Sequence, residues 1–107
     1  MSQRSEISLS KLLNRAIEIH ASDIHIAAME SPAFRVKGEI QRAGYPKLSK
    51  QRARQIADHL MTDKQRSHFN RHLSVDFQFS FNGLARFRTN IFNQANGVSI
   101  ILRRIPT

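Results

Sequence analysis

Arg86 and Arg88 flank a phenylalanine in the stretch Ala85-Arg86-Phe87-Arg88, which reads as a β-strand. Strand side chains alternate, so both guanidinium groups face one way, about 6.5–7 Å apart along the strand. Two such forks can grip two oxygens of one phosphoryl group. The competing reading is a solvated surface with an ion pair to Asp76. Asp23 and His25 also share a strand face, either as an acid/base pair or as a polar face on which Asp23 orients His25. His68 and His72 have the spacing of a metal pair on a helix. No third ligand accompanies them, so a solvated helix face is the better reading and no metal is expected.

Other chemistry is missing from the sequence. There is no cysteine, hence no disulfide, thiolate zinc site or Cys nucleophile. There is no GxxxxGK[ST] phosphate loop, no GxGxxG and no nucleophile elbow, and the four glycines are scattered. Catalysis by these residues alone is not expected.

The elements that position these residues follow from periodicity. Leu9, Leu12, Leu13, Ala16 and Ile17 predict an amphipathic helix from Ser8 to His20, with Ser8 as N-cap. Ile24-His25-Ile26 and Phe34-Arg35-Val36 predict two strands. Gly38 turns the chain into a third over Glu39 to Arg42. Ser49 caps a helix that buries Ala53, Ile56, Ala57 and Leu60. Thr62 and Gln65 form a capping box for the next helix, which is expected to place Phe69 and Leu73 inward.

Val75, Phe77, Phe79 and Phe81 then alternate with polar residues, which makes a strand ending in the hairpin signal Asn82-Gly83. A two-residue loop would set Arg86 and Arg88 on the phenylalanine face. A three-residue loop, Asn82-Gly83-Leu84, pairs Phe81 with Ala85, Phe79 with Phe87 and Val75 with Ile91, and keeps that face apolar. Burial sets register, so the longer loop is predicted, with a left-handed residue at or near Gly83. A turn over Asn93 to Gly97 leads to a last strand, Val98 to Ile105. Its apolar run through Ile101 suggests a central position covered on both sides. The expected fold class is α+β: a mainly antiparallel sheet of about six strands with three helices, in the order α-βββ-αα-βββ.

With 107 residues the chain fits one domain. No apolar run is long enough to span a membrane, and the first residues form no signal peptide; the cell interior is the simplest location. Seventeen Lys and Arg against eight Asp and Glu give a net charge of +9. An anionic partner would account for it, and the densest basic stretch runs from Lys47 to Arg54. A nucleic-acid-binding sheet would need exposed aromatics, but here the phenylalanine face is expected to be the core face. A stand-alone nucleic-acid or protein-interaction module is therefore the second reading.

Two segments carry a resemblance: Ala21-Ser22-Asp23-Ile24-His25, and Ala85-Arg86-Phe87-Arg88-Thr89-Asn90-Ile91-Phe92-Asn93-Gln94 followed by Arg103-Arg104-Ile105-Pro106. In this order, with Arg35-Val36-Lys37-Gly38 between them, the chain resembles the N-terminal domain of the PilT/PilU retraction ATPases of type IV pili, within the wider type II and type IV secretion ATPases. The likeness runs from about Leu9 to Pro106. It implies a PAS-like domain that precedes a RecA-like ATPase core in a cytoplasmic bacterial homohexamer, at the inner membrane through a platform protein. It also implies ATP and Mg at the junction of the two domains in the complete protein, with none expected to bind tightly to this chain. Arginines of the N-terminal domain reach the phosphates; Arg88 matches that role, with Arg86 and Arg104 as further candidates. Asp23 and His25 become a polar cluster near a domain or subunit surface. The phosphate loop and Walker B acid belong to the second domain and are absent, so residues 1–107 are expected to be an isolated domain. Lys37 departs from the Asp or Asn that the family commonly places before the hairpin glycine, which weakens the tight-turn expectation there.

Overall fold

The computed structural model of the chain describes residues 8–42 and 44–106. Helix α1 (Leu9–Glu18) starts at Ser8, whose Oγ accepts from the Lys11 amide at 3.1 Å. It ends two residues before the expected His20, which takes a left-handed φ of 58°. Strands β1 (Asp23–Ala27), β2 (Ala33–Val36) and β3 (Glu39–Gln41) follow as a meander. Lys37 (φ 52°) and Gly38 (φ 82°) form its second turn, so the turn closes despite the lysine. The Arg35 guanidinium donates to the Gly38 carbonyl at 2.9 Å and braces it.

Helix α2 (Lys50–Leu60) buries the four residues that its periodicity marks, Ala53, Ile56, Ala57 and Leu60. Helix α3 (Asp63–His72) opens with the complete capping box: Gln65 N donates to Thr62 Oγ1, and Thr62 N donates to Gln65 Oε1. The two helices are clamped by charge. Asp58 accepts from Arg54 on its own helix at 3.0 Å and lies 3.5 Å from Arg66 of α3, while the Arg54 guanidinium stacks over Phe69.

Phe69 is buried as expected, but Leu73 is not: it is 54% exposed. The helix stops at His72, and Leu73 is its C-cap with φ 62° and ψ 18°, which turns the side chain away from the stripe it would have continued. A leucine in that conformation is strained by about 1 kcal/mol, which glycine would not be. Leu73→Gly is expected to stabilise the domain by about 0.5–1 kcal/mol, seen as a rise of a few degrees in Tm.

Strands β4 (Ser74–Phe81), β5 (Ala85–Gln94) and β6 (Gly97–Arg104) complete one antiparallel sheet, ordered β3-β2-β1-β6-β5-β4. The three-residue loop is present, and the register is Phe81 with Ala85, Phe79 with Phe87 and Val75 with Ile91. Both Asn82 (φ 49°) and Gly83 (φ 69°) are left-handed. The following turn is tighter than expected: β5 runs on to Gln94, which pairs with Gly97.

All three helices lie on one face of the sheet. The core between the layers is built from Leu12 and Leu13, Ile24 and Ile26, Phe34, Ile56, Phe69, Phe87, Ile91, Ile100 and Leu102, each at most 2% exposed. Full burial of such a side chain contributes about 1.5–3 kcal/mol. β6 is central, as its apolar run predicts, but it is covered on one side only. Ile101 lies on the open face and is partly exposed, because the helices pack on the opposite parity, Val98, Ile100 and Leu102.

Candidate phosphate-facing site on the open sheet face

The open face carries charged residues from five strands. Across β2, β1, β6, β5 and β4, one row of directly paired residues reads Arg35, Asp23, Arg103, Arg88 and Gln78. Arg86 lies one pleat further along β5, on the same side as Arg88. Arg86 and Arg88 are exposed and, among the described residues, neither forms an ion pair. The pairing of either with Asp76 does not occur: the Asp76 carboxylate accepts from the Asn90 side chain at 3.1 Å. Arg88, Asp76, Gln78 and Ile105 line a depression of about 270 Å³.

Arg88 and Arg103 face each other across β5 and β6, and like charges in that position repel. Asp23 offsets this from the far side of Arg103. Its carboxylate accepts from Arg103 Nε at 3.1 Å and from Ser22 Oγ at 2.7 Å. The aspartate side chain is 6% exposed and the arginine 72%, so a buried anion holds the base of a side chain whose end is in solvent. Burial pushes the Asp23 carboxyl up. The hydrogen bonds from Ser22 and Arg103 and the charges of Arg103 and His25 outweigh it and leave the group below its ordinary value of 3.8.

Arg104 is on the other face. It pairs with Phe87, a core residue, so it points to the helix side of the sheet and away from Arg86 and Arg88. The residue that joins them is Arg103, which sequence reasoning passed over. Asp23 and His25 share a face as expected, but no hydrogen bond links them among the described residues. The hydrogen bonds that Asp23 accepts come from Arg103 and Ser22. His68 and His72 stack with ring centroids 4.4 Å apart on the exposed side of α3. Among the described residues no group of three His, Cys, Asp or Glu could hold a metal. Phe81 and Phe87 are buried, and Phe77 and Phe79 pack against the core, so the phenylalanine row offers no stacking platform.

The chain is 37% identical over 101 residues to the type IV pilus retraction ATPase PilT of Pseudomonas aeruginosa, covering 94% of this chain and 29% of that protein. It is 34% identical to a twitching motility protein of Neisseria gonorrhoeae, over 92% of this chain and 26% of that protein. Among solved structures, the pilus retraction motor PilT with bound ADP superposes with a TM-score of 0.86 at 35% identity, over 95% of this chain and 30% of that one. The chain corresponds to the N-terminal domain of PilT/PilU-type ATPases.

This PilT/PilU-type domain spans under a third of the length of the curated relatives it matches. The Legionella pneumophila ATPase DotB superposes with a TM-score of 0.78 at 22% identity, over 92% of this chain and 28% of that one, and so shares the fold. No protein-family model matches the chain. Among the described residues no helix is long and apolar enough to cross a membrane.

Proposed function

We propose that this domain is the regulatory and nucleotide-sensing part of a homohexameric ATPase of the pilus-retraction or secretion kind. In this reading ATP and Mg bind in the complete protein, at the junction with a RecA-like domain, and this domain supplies arginines to the phosphates. The observation that carries it is the open-face cluster: Arg88, Arg86 and Arg103 project from adjacent strands on one side of a rigid sheet, and two of them form no ion pair among the described residues. Such a cluster fits a polyphosphate, because bidentate guanidinium contacts match its oxygens. Bound ADP in the similar PilT structure supports the same reading. Arg104 is replaced by Arg103 in the proposed set, since Arg103 shares the face of Arg88 and Arg104 does not.

The chemistry of the arginines is electrostatic. A guanidinium held where charge develops on a transferring phosphoryl group stabilises the transition state and couples nucleotide state to domain position. The domain by itself holds nucleotide weakly, because the remaining contacts come from the RecA-like partner. The other partners in this reading are neighbouring subunits and an inner-membrane platform protein, which places the domain in the cytoplasm beside that membrane. The coding DNA beyond the Thr107 codon tests the proposal. An open frame that reaches a GxxxxGK[ST] segment is the expected result, and an immediate stop codon overturns it.

A further inference from the structure

The open sheet face explains only a small part of the net charge of this domain. The strand-bearing segments, residues 21–42 and 74–106, hold seven cations and four anions, a net of +3. The helical layer, residues 8–20 and 47–73, holds nine cations against three anions, a net of +6. The proposed nucleotide site lies on the opposite side of the sheet and makes no use of this charge. Five of the helical-layer cations, Lys11, Lys47, Lys50, Lys64 and Arg71, are exposed and form no ion pair among the described residues.

We infer that the helical layer is a peripheral docking face for an anionic membrane surface. Shape and chemistry both favour a planar polyanion. The domain measures 38 × 35 × 25 Å, and its three helices pack against the same face of the sheet. The cations are spread over α1, α2, α3 and the segment leading into α2, so no single element projects as a reader of a nucleic-acid groove. No Phe, Tyr or Trp is among the large exposed hydrophobic side chains, so the strongest stacking platforms for bases are missing from the described residues. The one exposed apolar residue on this layer, Leu73, gives no wedge for deep insertion. Adhesion is therefore electrostatic and shallow, and it weakens within a Debye length and with added salt.

The test is co-sedimentation of the 107-residue chain with vesicles of phosphatidylcholine alone or with about 30 mol% phosphatidylserine, at about 50 mM and about 500 mM salt. The chain is expected to pellet with the anionic vesicles at low salt only. The triple variant Lys50→Glu, Lys64→Glu, Arg71→Glu is expected to lower partitioning by about a hundredfold, while Arg86→Ala, on the sheet face, matches the parent. A milder variant, Lys47→Gln with Lys50→Gln, guards against misfolding and is expected to lose about tenfold or more. Three results overturn the inference: no binding to anionic vesicles, a loss on Arg86→Ala larger than on the helical variants, or tighter binding to a duplex or single-stranded nucleic acid than to the vesicles.

Discussion

In a complete protein that joins this domain to its ATPase core, Arg88→Ala is expected to lower kcat for ATP hydrolysis by about a hundredfold or more, the range seen when an arginine is withdrawn from a phosphoryl transition state. The domain itself should be no less stable. Arg88 is exposed, forms no ion pair among the described residues, and stands opposite Arg103, so its removal relieves a like-charge contact. Activity and stability should thus move independently, which separates a functional arginine from a structural one. Arg104→Ala, on the other face of the sheet, is the matched control and should leave turnover near the parent value. Steady-state ATPase assays with a melting curve for each variant make the comparison, and equal kcat for Arg88→Ala and the parent would end the arginine proposal.

Asp23→Asn is expected to carry the largest stability cost on the open face, about 1–2 kcal/mol, from weakened charge-assisted hydrogen bonds to Arg103 and Ser22. The cost has a pH signature. The folded carboxyl titrates below its ordinary value of 3.8, so its contribution is fully present above that value. It is lost as pH falls through the lower, folded value. Parent and variant should therefore differ in Tm by roughly 5–15 °C near pH 7, and the gap should narrow as pH falls below 3.8. Thermal melts from neutral pH down through that range read this directly, and a gap that stays constant would assign Asp23 a purely steric role.

The parts of the fold that were legible in the sequence are those with strong alternation or unambiguous caps. The strand from Val75 to Phe81 alternates so regularly that only one hairpin register keeps its phenylalanines together, and that register is the one observed. Ser8, Ser49 and Thr62 each mark a helix start because a hydroxyl there satisfies an amide that the helix cannot. Arg103 was missed for the converse reason. Val98 to Leu102 is apolar at nearly every position, so the sequence of β6 does not reveal its parity, and neither arginine could be placed on a face. The pairing of Arg88 with Arg103 resolves it. Leu73 was misplaced because a four-residue apolar spacing assumes that the helix continues, and no glycine announces the left-handed cap that ends it. Asp23 looked like a surface acid because its partner lies 80 residues away.

The strand order has a consequence for how the protein is made. β1 and β6, the first and last strands of the chain, lie side by side at the centre of the sheet. A nascent chain emerging from the ribosome can form the β1-β2-β3 meander and the β4-β5 hairpin locally. It cannot join them until residues 97–104 arrive to fill the gap. Until then β1 and β5 each present an unpaired edge, and the apolar rows containing Ile24, Ile26 and Ile91 lack their central neighbour. Closure through contacts this distant in sequence carries a high loop entropy, which places folding toward the slow end for a domain of this size and exposes the half-sheets to aggregation during synthesis.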